Sequence, residues 1–519
     1  MKNTHSPALK DLLSLIFYCL SFYAGIILLS ACSSNKTYYI DSINGKNNNS
    51  GISKSDPWKN LSALQNIKIN PGDKILLKRG SIFCEEFEIT AEGTKEQPII
   101  IESYGNEKED LPRIVGNDES LYAVKIFNSD FLTLRNIEII NTGKKTIPGR
   151  TGLKIECKDY GISNNIVIDN VTVRDVNGSL VKNDGGGSGI LIVNGGDSIL
   201  SRFDNLRIEN CHILRCSRNA IIWNGYYDRR KWFPNRNTII RNNLIEGVPG
   251  DGIVPIGCDS TLIEYNIMRD CPDVLPMTEA AAGIWPWSCD NTTIQFNEVY
   301  GHKAPWDAQG FDADYNCNNT IIQYNYSHDN YGGLVLVCNN GFEKDYNSGN
   351  RNSIIRYNIS IGDGIRPKKT RQGMFSPAIH IAGSVNNTII ERNIVHLNTK
   401  ESPDIDNSMI VSDCWGGFAD STVFRHNLLY SSDNSKISLT RSTNNIWEEN
   451  FFIGKFDSIP EGRNERLIDF YKNNVLTTDK NGYDFYHDLM DVHRIKHING
   501  HVINKDKIES FWNNLLNNK

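Results

Sequence analysis

A short run of β-favouring residues that closes on asparagine recurs through the middle of this 519-residue chain. It reads Leu132-Thr133-Leu134-Arg135-Asn136, then Val167-Ile168-Asp169-Asn170, then Thr238-Ile239-Ile240-Arg241-Asn242-Asn243. Further copies are Thr261–Asn266, Thr293–Asn297, Thr320–Asn325, Ser353–Asn358, Thr388–Asn393 and Thr422–Asn427, with weaker ones ending at Asn210 and Asn450. Successive closing asparagines lie 34, 40, 33, 23, 31, 28, 33, 35, 34 and 23 residues apart. A period in this range requires a solenoid or a propeller, because one such unit cannot bury its own apolar face.

Each unit carries three short β runs, as in Thr320–Tyr324, Tyr326–His328 and Gly333–Val337. A propeller blade needs four antiparallel strands and hairpin turns, whereas here a single asparagine makes the turn. Asparagine tolerates a left-handed backbone, and its amide can bond to the equivalent asparagine one coil away, about 4.8 Å distant. These features predict an all-β right-handed parallel β-helix of about eleven coils. Its core spans 121–455, with an N-terminal cap and first coils in 32–120 and a C-terminal extension in 456–519. Ile508, Phe511, Trp512, Leu515 and Leu516 fall at helical spacing and predict a capping helix.

The N-terminal segment strengthens a likeness. Tyr38-Tyr39-Ile40-Asp41, the Gly/Asn-rich turn at 44–51, Pro57-Trp58-Lys59 and Pro71-Gly72-Asp73-Lys74-Ile75 resemble the opening of exported bacterial β-helix proteins that act on polysaccharides. The resemblance covers about residues 37–455 and implies the fold and a carbohydrate-active enzyme, either glycoside hydrolase or polysaccharide lyase. In such chains the opening segment caps the exposed edge of the helix. The Asn-Thr-Asp, Asp-Asp and Gly-His-Gly set of polygalacturonases does not occur in order here.

Lys2 and Lys10 precede an apolar stretch from Leu12 to Leu29, and Leu29-Ser30-Ala31-Cys32 resembles a bacterial lipobox. Residues 1–31 therefore read as a signal peptide and Cys32 as the site of lipidation, giving an exported protein held to a membrane by its lipid chains alone. Of the remaining cysteines, Cys211 with Cys216 and Cys258 with Cys271 are candidate pairs. No tight CxxC pattern supports structural zinc. The 55 basic and 61 acidic residues are interspersed, which excludes a nucleic-acid partner. A monomer is expected.

The strand that follows the glycine-containing turn aligns across coils as Gly252–Ile256, Gly283–Trp287, Gly310–Asp314, Gly333–Val337, Ala378–Ala382 and Met409–Asp413. Strand alternation then places Val254/Ile256, Trp285/Trp287, Asp312/Asp314, Val335/Val337, His380/Ala382 and Val411/Asp413 on one outward face. Strands disfavour Asp, so two on one strand face single out that coil. Their backbones lie about 6.7 Å apart, and two charges there repel by roughly 2.5 kcal/mol at an effective dielectric of 20. That repulsion leaves one proton donor and one carboxylate, with a spacing that suits inverting glycoside hydrolysis.

Asp312, Asp314 and His380 are accordingly the expected catalytic residues. Trp285 and Trp287 are expected as exposed platforms for sugar C–H faces. The turn Gly301–Gln309 adds His302, Lys303, Trp306, Asp307 and Gln309 as substrate contacts, beside Glu279 and Asp251 from neighbouring turns. Arg366, Lys368, Lys369 and Arg371 form a basic turn, from which Arg366 could meet an acidic glycan. His328 and Asp329 read as structural, and Cys258, Cys289, Cys317, Cys338 and Cys414 as a buried stack.

Three functions follow. A glycan-degrading glycoside hydrolase using the aspartates needs no cofactor. A polysaccharide lyase would use calcium and the basic turn at 366–371. A noncatalytic surface glycan-binding lipoprotein would depend on the tryptophans alone. The partner in each is a polysaccharide or an oligosaccharide.

Overall fold

The isoleucines of the repeat stack directly on one another. Ile294, Ile322, Ile355, Ile390, Phe424 and Trp447 form one column in register, the first five with no exposed surface. They belong to a parallel sheet of fourteen strands in which each successive strand comes from the next coil. Eleven of them run from Leu132–Arg135 to Ile446–Glu448, and three more lie N-terminal, at Thr37–Ile40, Lys74–Lys78 and Ile99–Tyr104. The N-terminal segment therefore contributes coils of its own. A second sheet carries strands such as Glu298–Tyr300, Tyr326–His328 and Ile359–Ile361, and a third carries Ser188–Gly195, Asn219–Asn224, Phe311–Ala313 and Ile379–Gly383. The computed structural model describes residues 35–341, 344–370, 373–463, 466–468, 486–496 and 498–517. The signal segment, Cys32 and Arg371 lie outside these residues. No described helix is long and apolar enough to cross a membrane.

The closing asparagines occupy two different positions. From Asn243 to Asn450 they form a buried ladder: Asn297 Nδ2 donates to Asn325 Oδ1 at 3.0 Å, Asn325 to Asn358 at 3.1 Å and Asn358 to Asn393 at 2.9 Å. In these coils the left-handed residue is the preceding one, for example Tyr324 at φ 55° or Tyr357 at φ 55°. In the earlier coils Asn136, Asn170 and Asn210 are themselves left-handed, and Ile137, Val171 and Cys211 fill the buried position. One residue type thus serves the turn in one half and the ladder in the other.

At the last coil Arg466–Ile468 of the C-terminal segment pairs with Phe451–Phe456, and the described residues beyond it lie along the outer side of the second sheet. An antiparallel hairpin, Met490–Ile495 with Ile498–Ile503, leads into the helix Lys505–Asn517. Ile508 and Trp512 of that helix are fully buried in a cluster with Tyr326, Ile359, Ile394, Leu428 and Phe451 on the outer side of the second sheet. There His328 is stacked between Tyr300 and Tyr326, each at 4.4 Å, and bonds to Asp329 at 2.7 Å, a structural arrangement.

The ten described cysteines are all free, so neither candidate pair is bonded. Cys258, Cys289 and Cys317 do stack, with the Cys258 amide donating to Cys289 Sγ and the Cys289 amide to Cys317 Sγ, each at 3.4 Å. Cys338 lies outside this stack against Asp314, and Cys414 is exposed.

Candidate active site

The third sheet is interrupted where the site lies. Pro255 and Pro286 remove backbone donors, and only isolated bridges Ile253↔Ile284, Ile256↔Trp287 and Ile284↔Phe311 connect the coils there. The register continues as Phe311↔Val335, Asp312↔Leu336 and Ala313↔Val337, then Leu336↔His380 and Cys338↔Ala382. The coil after the aspartates is therefore shifted by one residue from the sequence alignment. Leu336 and Cys338, not Val335 and Val337, face outward beside Asp312 and Asp314.

This outward face is covered by turns and holds a cleft of about 160 Å³. Lys182, Trp285, Trp287, Asp307, Asp312, Asp314 and Tyr315 are among its lining residues, with Ala280–Ala282 and Asp251 closing one side. Asp312 is 3% exposed and Asp314 9%. Burial, then repulsion from Asp314 and Asp307, pushes Asp312 well above the usual carboxylate range, and its Oδ1 has no hydrogen-bond partner. Burial also raises Asp314, to about 7, against the opposing pull of two donors. These are the Cys338 thiol at 2.9 Å and the Tyr315 amide at 2.6 Å, both on Oδ1. Burial raises Asp307 too, opposed by the nearby charges of Arg366, His380 and Lys182.

Asp307 is held by its backbone. Trp306–Asp307 pairs with Ala280–Ala281, and the Ala308 amide donates to the Ala281 carbonyl at 2.8 Å. Asp307 and Ala308 are both left-handed, at φ 56° and 61°. Two consecutive non-glycine residues in that region cost about 1–2 kcal/mol each, strain that persists only where neighbours impose it. Arg366 imposes it here: Nη1 donates to the Pro305 carbonyl at 2.7 Å and Nη2 to the Asp307 carbonyl at 2.8 Å. Gly332 permits the close packing, since a Cβ there would lie 2.2 Å from the Asp307 carbonyl.

Several expected contacts have other roles. Arg366 is 1% exposed and anchors the loop, so it is not part of a free basic turn. Lys368 pairs with Asp273 at 2.5 Å. His302 is fully buried, with Nε2 donating to the Gly250 carbonyl at 2.8 Å and Nδ1 accepting from the Ala304 amide. Burial holds its pKa below the usual histidine value. Glu279 accepts from the Lys182 amide at 2.9 Å and pairs with Arg218 at 3.3 Å. Gln309 is buried, and neither it nor Lys303 nor Trp306 lines the cleft.

Trp285 is not an exposed platform. It is 7% exposed, and its indole N–H donates to Asp251 Oδ1 at 3.0 Å while Lys182 Nζ sits 5.5 Å from the ring centre. Asp251 in turn pairs with Arg218 at 3.2 Å, so it fixes the tryptophan wall. Trp287 is half-buried and stacked on Tyr227. His380 lies on the Asp312 column with Leu336 between them; its ring meets Phe375 and Trp415 edge-on and it lies 3.5 Å from Asp413. The structure thus gathers Asp307, Asp312 and Asp314; His380 does not line the cleft, although its charge acts on Asp307. Lys182 and Tyr315 join the cleft without having been singled out. Lys182 arrives from a turn four coils before the aspartates, which no local pattern announces.

Residues 188–400 match a family model described as "Right handed beta helix region". The fold is a right-handed parallel β-helix. The chain is 26% identical over 456 residues to a lacto-N-biosidase from Bifidobacterium longum subsp. longum, covering 69% of this chain and 27% of that protein. It spans about a quarter of the length of that relative. The crystal structure of the GH136 lacto-N-biosidase from Eubacterium ramulus, as its selenomethionine derivative, aligns with a TM-score of 0.60 at 25% identity, covering 87% of this chain and 72% of that one. The native form of the same enzyme gives 0.58 at 26% identity, with coverage of 83% and 68%. Among the described residues no group of three or more His, Cys, Asp or Glu side chains is arranged to hold a metal ion.

Proposed function

We propose that this protein is a glycoside hydrolase of the lacto-N-biosidase kind, acting on an oligosaccharide that ends in lacto-N-biose. The observation that carries the reading is a small cleft holding three carboxyls, one of them, Asp314, poised at about 7. A general acid is most effective with a pKa near the working pH. Asp314 is therefore the proton donor: as the glycosidic C–O bond breaks, its proton passes to the leaving-group oxygen. Asp307, facing Arg366, His380 and Lys182, is the carboxylate that flanks the anomeric carbon. Asp312 is the most strongly held in the neutral form and serves as a hydrogen-bond donor to the sugar. The likeness to two lacto-N-biosidases supports the substrate class. The cleft, about 160 Å³, is smaller than the sites of drug-sized ligands.

The sequence reading paired Asp312 with Asp314, and its expectation of inversion rested on their spacing. With Asp307 as the ionised partner that spacing no longer bears on stereochemistry. The anomer released first reports it: retention means direct attack by the carboxylate, and inversion means activated water. The calcium-assisted lyase assigned its base to the turn at Arg366, whose two Nη groups bind loop carbonyls. The noncatalytic reading leaned on exposed tryptophans, of which Trp285 is buried.

Export as a monomeric lipoprotein anchored through Cys32 belongs to the same proposal and rests on the sequence alone. Mass spectrometry of the N-terminal peptide from membrane fractions tests it. For activity, the purified protein is incubated with an oligosaccharide ending in lacto-N-biose, and released sugar is followed together with ultraviolet absorbance. Free lacto-N-biose without an unsaturated product supports the hydrolase; an absorbing product would replace it with the lyase.

A further inference from the structure

The cleft has two distinguishable ends. Asp307 and Ala280–Ala282 close it where the chain enters the strands, whereas Asp314, Tyr315 and Trp287 stand where the strands leave. On that second side Tyr227 lies against Trp287, ring centres 5.2 Å apart and planes inclined by 23°. Tyr227 comes from a turn between Asn219–Asn224 and the next coil, and it is 53% exposed.

The turn that presents it is firmly tied down. The Tyr227 carbonyl accepts from Ser288 Oγ at 2.6 Å and from Asn316 Nδ2 at 3.1 Å. Arg229, two residues on, bonds to Asp290 at 2.9 Å and to the Asn316 carbonyl. Ser288 and Asn316 directly follow Trp287 and Tyr315 of the cleft wall, so Tyr227 is referenced to the same coils as the acid. Asn316 Nδ2 also donates to the Tyr346 carbonyl at 3.2 Å, fixing a second turn at this rim.

We infer that Tyr227, backed by Trp287, forms the platform of a leaving-group subsite that stacks the sugar ring immediately beyond the scissile bond. The inference rests on the hydrolase reading with Asp314 as proton donor, because the donor must stand on the leaving-group side of the bond it cleaves. Sugar rings present C–H faces that pack on aromatic rings, and a platform already stacked on a second ring loses little freedom when a ligand arrives. The ligand class is therefore an uncharged pyranose attached to the released unit.

The test compares wild type, Tyr227→Ala and Tyr227→Phe on two substrates: an oligosaccharide in which lacto-N-biose is linked to lactose, and lacto-N-biosyl fluoride, whose leaving group has no ring. The loss of kcat/KM in Tyr227→Ala is expected to be about ten-fold greater on the oligosaccharide than on the fluoride, with Tyr227→Phe retaining both activities. Equal losses on the two substrates, or no loss on the oligosaccharide, would overturn the subsite while leaving the hydrolase standing. A wild type that turns over neither substrate overturns the hydrolase reading, and the subsite falls with it.

Discussion

The Cys338 thiol points at Asp314 and donates to its Oδ1 at 2.9 Å, one coil away in register. A donor to a carboxylate favours the charged form, so this thiol holds Asp314 lower than burial alone would. Cys338→Ala is expected to raise the upper limb of the kcat/KM profile by about half to one pH unit. Cys338→Ser, which keeps a donor, should restore most of the shift. An unchanged profile in the alanine variant would separate the thiol from the acid.

The three carboxyls make distinct predictions. Asp314→Asn and Asp307→Asn should each lower kcat by about 10²–10⁴-fold with natural leaving groups. Asp312→Asn keeps a neutral donor in place and should lose about ten-fold or less, expressed mainly in KM. Activity of the wild type should fall as pH rises through about 7, where Asp314 loses its proton, and again at low pH as Asp307 gains one. Rates with both substrates across pH check these assignments. Full activity in Asp307→Asn would return the pair to Asp312 and Asp314.

The same groups set a stability dependence. Asp314 is raised from 3.8 to about 7 by folding, so the folded state holds its proton more tightly than the unfolded state does. The resulting stabilisation is complete below pH 3.8 and is lost as pH rises through about 7. Asp314→Asn should therefore be more stable than wild type at pH 8, by about 2–4 kcal/mol, and little different at pH 4. Thermal unfolding at the two pH values measures the difference.

Arg366 acts on Asp307 from behind. Arg366→Ala leaves the Pro305 and Asp307 carbonyls without their donors and should cost about 2–4 kcal/mol of stability, with a fall in kcat larger than the change in KM. Arg366→Lys should recover little, because an ammonium cannot serve two carbonyls with the fork of a guanidinium. Recovery in the lysine variant would reduce Arg366 to a simple charge.

Within the stack, Asn325 bonds to its neighbours on both sides: it donates to Asn358 and the Ile294 carbonyl, and it accepts from Asn297. Asn325→Ala should destabilise by about 2–4 kcal/mol through the buried groups left unpaired. Chemical denaturation with activity measured alongside checks that the loss is structural.

The coil repeat was legible because stacking requires the same residue type at the same place in every turn: Asn297, Asn325, Asn358 and Asn393 could not fill the ladder unless they recurred. Asp312 and Asp314 stood out because strands rarely carry two aspartates on one face. The register of Leu336 was not legible, since Gly332 and Gly333 offer two alignments that differ by one residue. Nor were Lys182 and Tyr227, which reach the cleft from turns whose lengths follow no period. Trp285 and Arg366 have the side chains of ligand contacts, and only the carbonyl and carboxylate partners folded around them show that they brace the site.

The C-terminal segment has a practical consequence. Ile359, Ile394, Leu428 and Phe451 lie beneath Trp512 and its neighbours along the outside of the second sheet. A chain cut short after about residue 456 would leave that strip uncovered and would be expected to self-associate through it, whatever the integrity of its coils. Expression designs that trim this end would then report on clumping and not on catalysis.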